Sequence, residues 1–153
     1  MGEAADVMHR DIAAFNNRDV HEIMAVHCSD CEKAVPGALL RGRDQVVAWR
    51  SALWEAFPDV QLQVTRVVEQ GSSVAIQGVA RSTHKGTLRS AGGDIPPTGR
   101  NVELTWSDDY EIRGGRIVST RLHYDQLAIL EQLGLTPVSA LWERAGTRAG
   151  PSL

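Results

Sequence analysis

From Val102 to Ile112 the even positions read Val102, Leu104, Trp106, Asp108, Tyr110 and Ile112, while Glu103, Thr105, Ser107, Asp109 and Glu111 fill the odd ones, with Arg113 continuing the polar series. A side-chain period of two puts the even set on one face of a β-strand, so the chain must build a sheet with one buried side. Asp108 is the exception, a carboxylate in an otherwise apolar series. Burying an ionised carboxylate is costly and desolvation raises its pKa, which makes Asp108 the first candidate for chemistry.

Ahead of this strand the period is first helical and then again two. Ala4, Met8, Ile12 and Phe15, with Val7 beside them, predict an amphipathic helix that stops at Asn16-Asn17. Asp19, with Glu22 three residues on, resembles a capping box and opens a short second helix through Val20, Ile23 and Met24. Cys28 to Arg43 reads as a turn-rich connection. Asp44 then caps a third helix in which Val46, Val47, Arg50, Leu53 and Trp54 share a side, and Pro58 ends it. Val60, Leu62 and Val64 begin a strand, Gln70-Gly71-Ser72 turns it, and Ser73 to Thr83 forms the next. The glycines and prolines between Lys85 and Arg100 predict a short strand and an exposed loop, the kind of segment that often borders a binding site.

The last hairpin turns through Arg113-Gly114-Gly115-Arg116, and two registers compete. A two-residue turn sets Asp108 opposite Arg121, Trp106 opposite His123 and Leu104 opposite Asp125. A three-residue turn with a glycine bulge sets Asp108 opposite Thr120, Trp106 opposite Leu122, Tyr110 opposite Val118 and Leu104 opposite Tyr124. The second is preferred because it joins two apolar faces and leaves Ser119, Arg121 and His123 with the polar positions. Asp125 is read as the cap of a helix from Gln126 to Leu133 that ends at Gly134. Thr136-Pro137 opens a final short helix through Leu141 and Trp142. Together these elements define one domain over residues 1–144, with a disordered tail at 145–153.

Composition narrows the function classes. With 42% hydrophobic and 23% charged residues the chain can bury a real core, and a net charge of −3 with scattered Lys and Arg leaves no footprint for nucleic acid. No apolar run reaches the roughly 18 residues of a membrane span, and the start lacks a signal peptide, so a cytoplasmic location is expected. Cys28 and Cys31 have metal-ligand spacing. A structural zinc normally needs four ligands, however, and no second Cys/His pair accompanies them, so no metal is expected.

Helices first and then a meander of long strands is an α+β order, in which a curved sheet can wrap the helices and leave a pocket. The runs Ala56-Phe57-Pro58-Asp59-Val60, Thr83-His84-Lys85-Gly86, Pro96-Pro97-Thr98-Gly99-Arg100, Gly115-Arg116-Ile117-Val118, Tyr124-Asp125-Gln126 and Gln132-Leu133-Gly134 together resemble the SnoaL-like polyketide cyclase family, within the nuclear-transport-factor-2-like superfamily. The resemblance covers the chain from about the first helix to Gly134. It implies a cone-shaped α+β barrel of N-terminal helices in a curved, mainly antiparallel sheet with a short C-terminal helix. It also implies a homodimer, a deep apolar pocket for a small hydrophobic or polycyclic substrate, and no metal or organic cofactor. Family members close a ring of an aromatic polyketide by an aldol step, with an aspartate as acid/base and a histidine nearby; relatives include epoxide hydrolases, ketosteroid isomerase and proteins implicated in polyketide hydroxylation.

Carried over residue by residue, the family's cyclase aspartate falls at Leu122 and its histidine at Asp108. The function expected is therefore aromatic polyketide tailoring, as a cyclase or cofactor-independent hydroxylase, with Asp108 as acid/base. The alternatives are an isomerase, dehydratase or epoxide hydrolase on a small apolar substrate, or a non-catalytic member that binds a hydrophobic ligand. His84 is the second catalytic candidate. Trp106, Tyr110, Leu122, Tyr124, Trp54 and Phe15 are candidates to line the substrate site, Tyr110 or Tyr124 as an oxyanion donor, and Arg89 as a contact for an anionic group. Catalysis calls for Asp108 in a closed-ended cavity with a raised pKa; plain ligand binding gains if Asp108 pairs with a buried cation or opens to solvent.

Overall fold

The computed structural model describes residues 1–90 and 92–135. The expected helix after Thr136 and the tail at 145–153 lie outside them. Helix α1 (Glu3–Asn17) ends where Arg18 takes a left-handed conformation, φ 56°. Asp19 caps α2 (Val20–Val26) by accepting the Glu22 N–H, as its capping-box spacing predicts. Helix α3 (Arg43–Ala56) starts two residues earlier than expected: Gly42 is its N-cap, and Asp44 stands in the first turn.

The segment expected to be a turn-rich connection is instead a hairpin, β1 (His27–Val35) and β2 (Ala38–Arg41), turned at Pro36-Gly37. The buried residues of its second half are Cys31, Lys33 and Val35, alternating with the exposed or partly exposed Asp30, Glu32 and Ala34. Period two was present, but a lysine at an inward position hid it. The remaining strands are β3 (Gln61–Gln70), β4 (Ser73–Thr83), the short hairpin β5 (Leu88–Ser90) and β6 (Gly93–Ile95), β7 (Asn101–Arg113) and β8 (Arg116–Tyr124). Helix α4 (Gln126–Gln132) follows, capped by Asp125 accepting the Ala128 N–H.

Six strands form one curved, open sheet in the order β2-β1-β8-β7-β4-β3, antiparallel except where β1 runs parallel to β8. The fold is α+β, with residues of α1 and α3 packed into the concave face beside Trp106, Tyr110, Ile112 and Ile117. Neither expected register of the last hairpin is the one adopted. Gly114-Gly115 makes the two-residue turn, pairing Arg113 with Arg116 and Ile112 with Ile117; Val118 is then an extra residue, and Glu111 pairs with Ser119. This bulge restores the match of the two apolar faces, setting Tyr110 opposite Thr120, Asp108 opposite Leu122 and Trp106 opposite Tyr124. Hydrophobic matching thus decided the face, as expected, but with the bulge on β8 rather than in the turn.

Trp106 owes its place to its cross-strand neighbour, Gly78. A Cβ on Gly78 would lie 2.3 Å from Trp106 Cζ2 and 2.6 Å from the Gln63 carbonyl oxygen, so only glycine leaves room for the indole to lie over β4.

Candidate active site

The concave face of the sheet and the apolar sides of α1 and α3 line a cavity whose wall includes Ile12, Phe15, Leu53, Phe57, Val102 and Leu104. Trp106, Asp108, Tyr110, Leu122 and Tyr124 supply the sheet side, and two cations, Lys33 and Arg50, also line it. The sequence reading did not name these cations as functional, nor Asp11 beneath them. Their signal was the one that singled out Asp108: a charge on an apolar face, at Lys33 among the inward residues of β1 and at Arg50 on the apolar side of α3.

The four charges form two pairs. Arg50 donates through Nη1 and Nη2 to Oδ1 and Oδ2 of Asp11 at 2.7 and 2.8 Å, and the Tyr110 hydroxyl donates to Oδ2 at 3.0 Å. Burial acts against the Asp11 carboxylate, but the Arg50 charge and its hydrogen bonds more than reverse this and hold its pKa well below the usual range. Burial, then the Asp11 charge, pushes the Tyr110 hydroxyl far above the ordinary tyrosine value. The Tyr110 proton is committed to Asp11. His27 stands 3.9 Å from Asp11 Oδ1 and donates from Nδ1 to the Ile23 carbonyl at 2.8 Å; burial lowers its pKa and favours the neutral ring.

The second pair joins three adjacent strands. Lys33 Nζ on β1 donates to Asp108 Oδ2 on β7 at 2.9 Å and to Thr120 Oγ1 on β8 at 3.0 Å. The Lys33 and Asp108 side chains are 3% and 5% exposed. Asp108 Oδ1 is buried with no hydrogen-bond partner among the described residues. Burial raises the Asp108 pKa; the Lys33 charge and hydrogen bond oppose that rise without cancelling it. Asp108 therefore both faces a cavity with a raised pKa and pairs with a buried cation, the first feature pointing to catalysis and the second to plain ligand binding.

The other candidates lie elsewhere. Phe15 lines the cavity, whereas Trp54 sits behind it, its ring 5.5 Å from Phe15 and 5.7 Å from the Arg18 guanidinium. His84 is buried outside the cavity lining. Its Nδ1 accepts the Thr98 N–H at 3.2 Å, its ring packs 5.3 Å from Phe57, and its backbone bonds to Gly99 and Arg100. The rest of the Thr-His-Lys-Gly motif is fastened to the end of α3: Lys85 and Gly86 donate to the Ala56 carbonyl, and a Cβ on Gly86 would lie 1.8 Å from the Glu55 carbonyl oxygen. Arg89 is 63% exposed and lies 3.7 Å from Glu55 and 4.0 Å from Asp94. Among the described residues no His/Cys/Asp/Glu group could hold a metal ion, and no helix is long and apolar enough to cross a membrane.

A cone of helices in a curved sheet, enclosing an apolar cavity with ionisable groups on its wall, is the architecture of nuclear-transport-factor-2-like proteins. The profile described as SnoaL-like polyketide cyclase matches residues 5–133, and the chain belongs to that family. Among solved structures, a SnoaL-like polyketide cyclase proposed from Jannaschia sp. CCS1 superposes with a TM-score of 0.78 at 19% identity, over 88% of this chain and 94% of that one. IdmH from Streptomyces antibioticus, a proposed polyketide cyclase, gives 0.74 at 29% identity over 87% and 99%. AclR from Streptomyces galilaeus, a proposed hydroxylase, gives 0.75 at 23% identity over 88% and 98%. No curated protein sequence matches the chain.

Proposed function

We propose that the chain is an enzyme of aromatic polyketide tailoring, a cyclase or cofactor-independent hydroxylase, that uses Asp108 to remove a proton from the carbon beside a substrate carbonyl. The observation that carries this reading is Asp108 Oδ1, a buried carboxylate oxygen without a partner among the described residues, on the wall of an apolar cavity. A carboxylate raised by burial is a better base than one in water, and the apolar wall around it limits the water that competes for the carbanion. Ring closure needs nothing further: the carbanion attacks a second carbonyl of the same molecule, and Asp108 returns the proton to the alkoxide. Hydroxylation would share the first step and then require dioxygen as co-substrate. The likeness to IdmH supports the polyketide substrate class, and the aromatic wall of Trp106, Tyr110, Tyr124 and Phe15 suits a flat polycyclic molecule.

The Lys33 pairing favours a second reading, a member that binds a hydrophobic ligand without transforming it. Turnover of a panel of polyketide esters by wild type and Asp108→Asn, followed by mass spectrometry, separates the two. Loss of about 100-fold or more in kcat/KM is expected, in the range for removing a general base. Equal turnover would remove Asp108 from the mechanism, and no turnover by either would favour the binder.

A further inference from the structure

We infer that Lys33 is a second catalytic group, donating a hydrogen bond from its ammonium to the substrate oxygen that becomes negative while Asp108 Oδ1 takes the proton. The inference rests on the proposed role of Asp108 and adds the electrophilic partner which that role requires.

The argument is one of unspent donors and acceptors. An ammonium carries three hydrogens, and Lys33 gives one to Asp108 Oδ2 and one to Thr120 Oγ1; the third has no acceptor among the described residues. Asp108 Oδ1 likewise lacks a donor. Both side chains are almost fully buried, both line the cavity, and groups left so are costly to the fold. The pair therefore presents one charged donor and one charged acceptor to whatever fills the cavity. An enolisable ketone matches them, its carbonyl oxygen facing the donor and its adjacent C–H facing the acceptor.

The other polar groups near the pair are engaged or weaker. Arg50 is anchored to Asp11 through one N–H of each terminal nitrogen, and Tyr110 spends its only proton there. The Trp106 indole N–H, also buried without a partner, is neutral, and charge-assisted bonds are about twice as strong. Lys33 also selects the reactive oxygen, because its hold on Oδ2 leaves Oδ1 as the base.

The step balances without a co-reactant. The substrate C–H bond breaks and its proton passes to Oδ1, the bonding pair becomes the enolate double bond, and the carbonyl π pair moves to oxygen beside Lys33 Nζ. Charged and titratable groups bear on Asp108 from each surrounding element. Lys33 on β1 and Arg50 on α3 favour its carboxylate, Asp11 on α1 disfavours it, and Tyr110 on β7 feels its charge.

Two measurements test this. The first follows deuterium exchange into the acetyl group of 2-acetyl-1-naphthol by NMR across pH; the second titrates protein-bound 4-nitro-1-naphthol by its visible absorption, its naphtholate standing for the enolate. Lys33→Met is expected to slow exchange about 100-fold, as loss of an oxyanion donor does. It is also expected to move the base limb to higher pH and to weaken naphtholate relative to naphthol binding at least tenfold. Asp108→Asn is expected to abolish exchange without weakening naphtholate binding. Because Lys33→Met leaves a buried carboxylate unpaired, the double variant Lys33→Met/Asp108→Asn provides a neutral pair for comparison with Asp108→Asn. Equal naphtholate preference in those two proteins, or wild-type exchange by folded Lys33→Met, overturns the role of Lys33. Wild-type exchange by Asp108→Asn overturns the underlying base assignment instead.

Discussion

The two buried ion pairs differ in one respect, and that difference separates architecture from function. In the pair beneath the cavity, both Asp11 oxygens are occupied by Arg50 and one also accepts from Tyr110. In the pair of Lys33 and Asp108, one carboxylate oxygen and one ammonium hydrogen lack protein partners among the described residues. Similar burial yields opposite shifts: the closed pair holds Asp11 firmly ionised, whereas the open pair leaves Asp108 with a raised pKa. A closed pair ties α1, α3 and β7 together. An open pair has something left to give a substrate.

The largest effect should come from breaking the closed pair. Arg50→Met leaves the Asp11 carboxylate fully buried with only the Tyr110 hydroxyl and a distant His27, and a loss of about 3–5 kcal/mol is expected, as for other broken buried pairs. Replacing both partners, as Asp11→Asn/Arg50→Met, should recover much of that loss, since it is the unpaired charge that costs most. Chemical denaturation of the three proteins measures both differences. If Arg50→Met proves as stable as wild type, Asp11 and Arg50 are not the clamp that the geometry describes.

A smaller effect should appear in the pH dependence of stability, with opposite signs for the two carboxylates. Asp11, lowered from an ordinary value of 3.8, adds stability that is present above that value and lost as pH falls below it. Asp108, raised from the same value, binds its proton more tightly in the folded chain. Its contribution is complete below 3.8 and lost as pH rises through the folded value. Thermal melts across pH 3–7 should therefore show Asp11→Asn removing part of the acid-side loss. Asp108→Asn should flatten the decline on the other side. The same sign in both variants would mean that the pairs are electrostatically alike.

How far these pairs were legible in sequence depends on where each charge sits. Asp108 stood out because β7 alternates over its whole length, so one carboxylate in the even series was unmistakable. Lys33 follows the same rule, but β1 offers a short run of inward residues beside the exposed Ser29 and Asp30, too little pattern for a lysine to look misplaced. Asp11 and Arg50 lie in helices, where a charge beside the apolar stripe is commonly solvated; only their meeting across α1 and α3 shows otherwise. The bulge at Val118 was unreadable for a different reason. A bulge in the turn and one three residues later both keep the apolar faces joined, so the hydrophobic pattern does not choose between them.

The smallest effect belongs to Arg89, whose exposure makes it the control for both pairs. Its ionic partners, Glu55 at 3.7 Å and Asp94 at 4.0 Å, are themselves more than half exposed, and ion pairs of this kind contribute about 0–1 kcal/mol because water screens them. Arg89→Ala should therefore shift stability by less than about 0.5 kcal/mol, as surface substitutions usually do, and leave turnover of uncharged substrates within about twofold of wild type. Measured against an anionic polyketide acid and its methyl ester, the variant addresses the remaining role. A selective rise in KM for the acid would bring Arg89 into substrate capture, whereas parallel behaviour would confine recognition of charge to the open pair of Lys33 and Asp108.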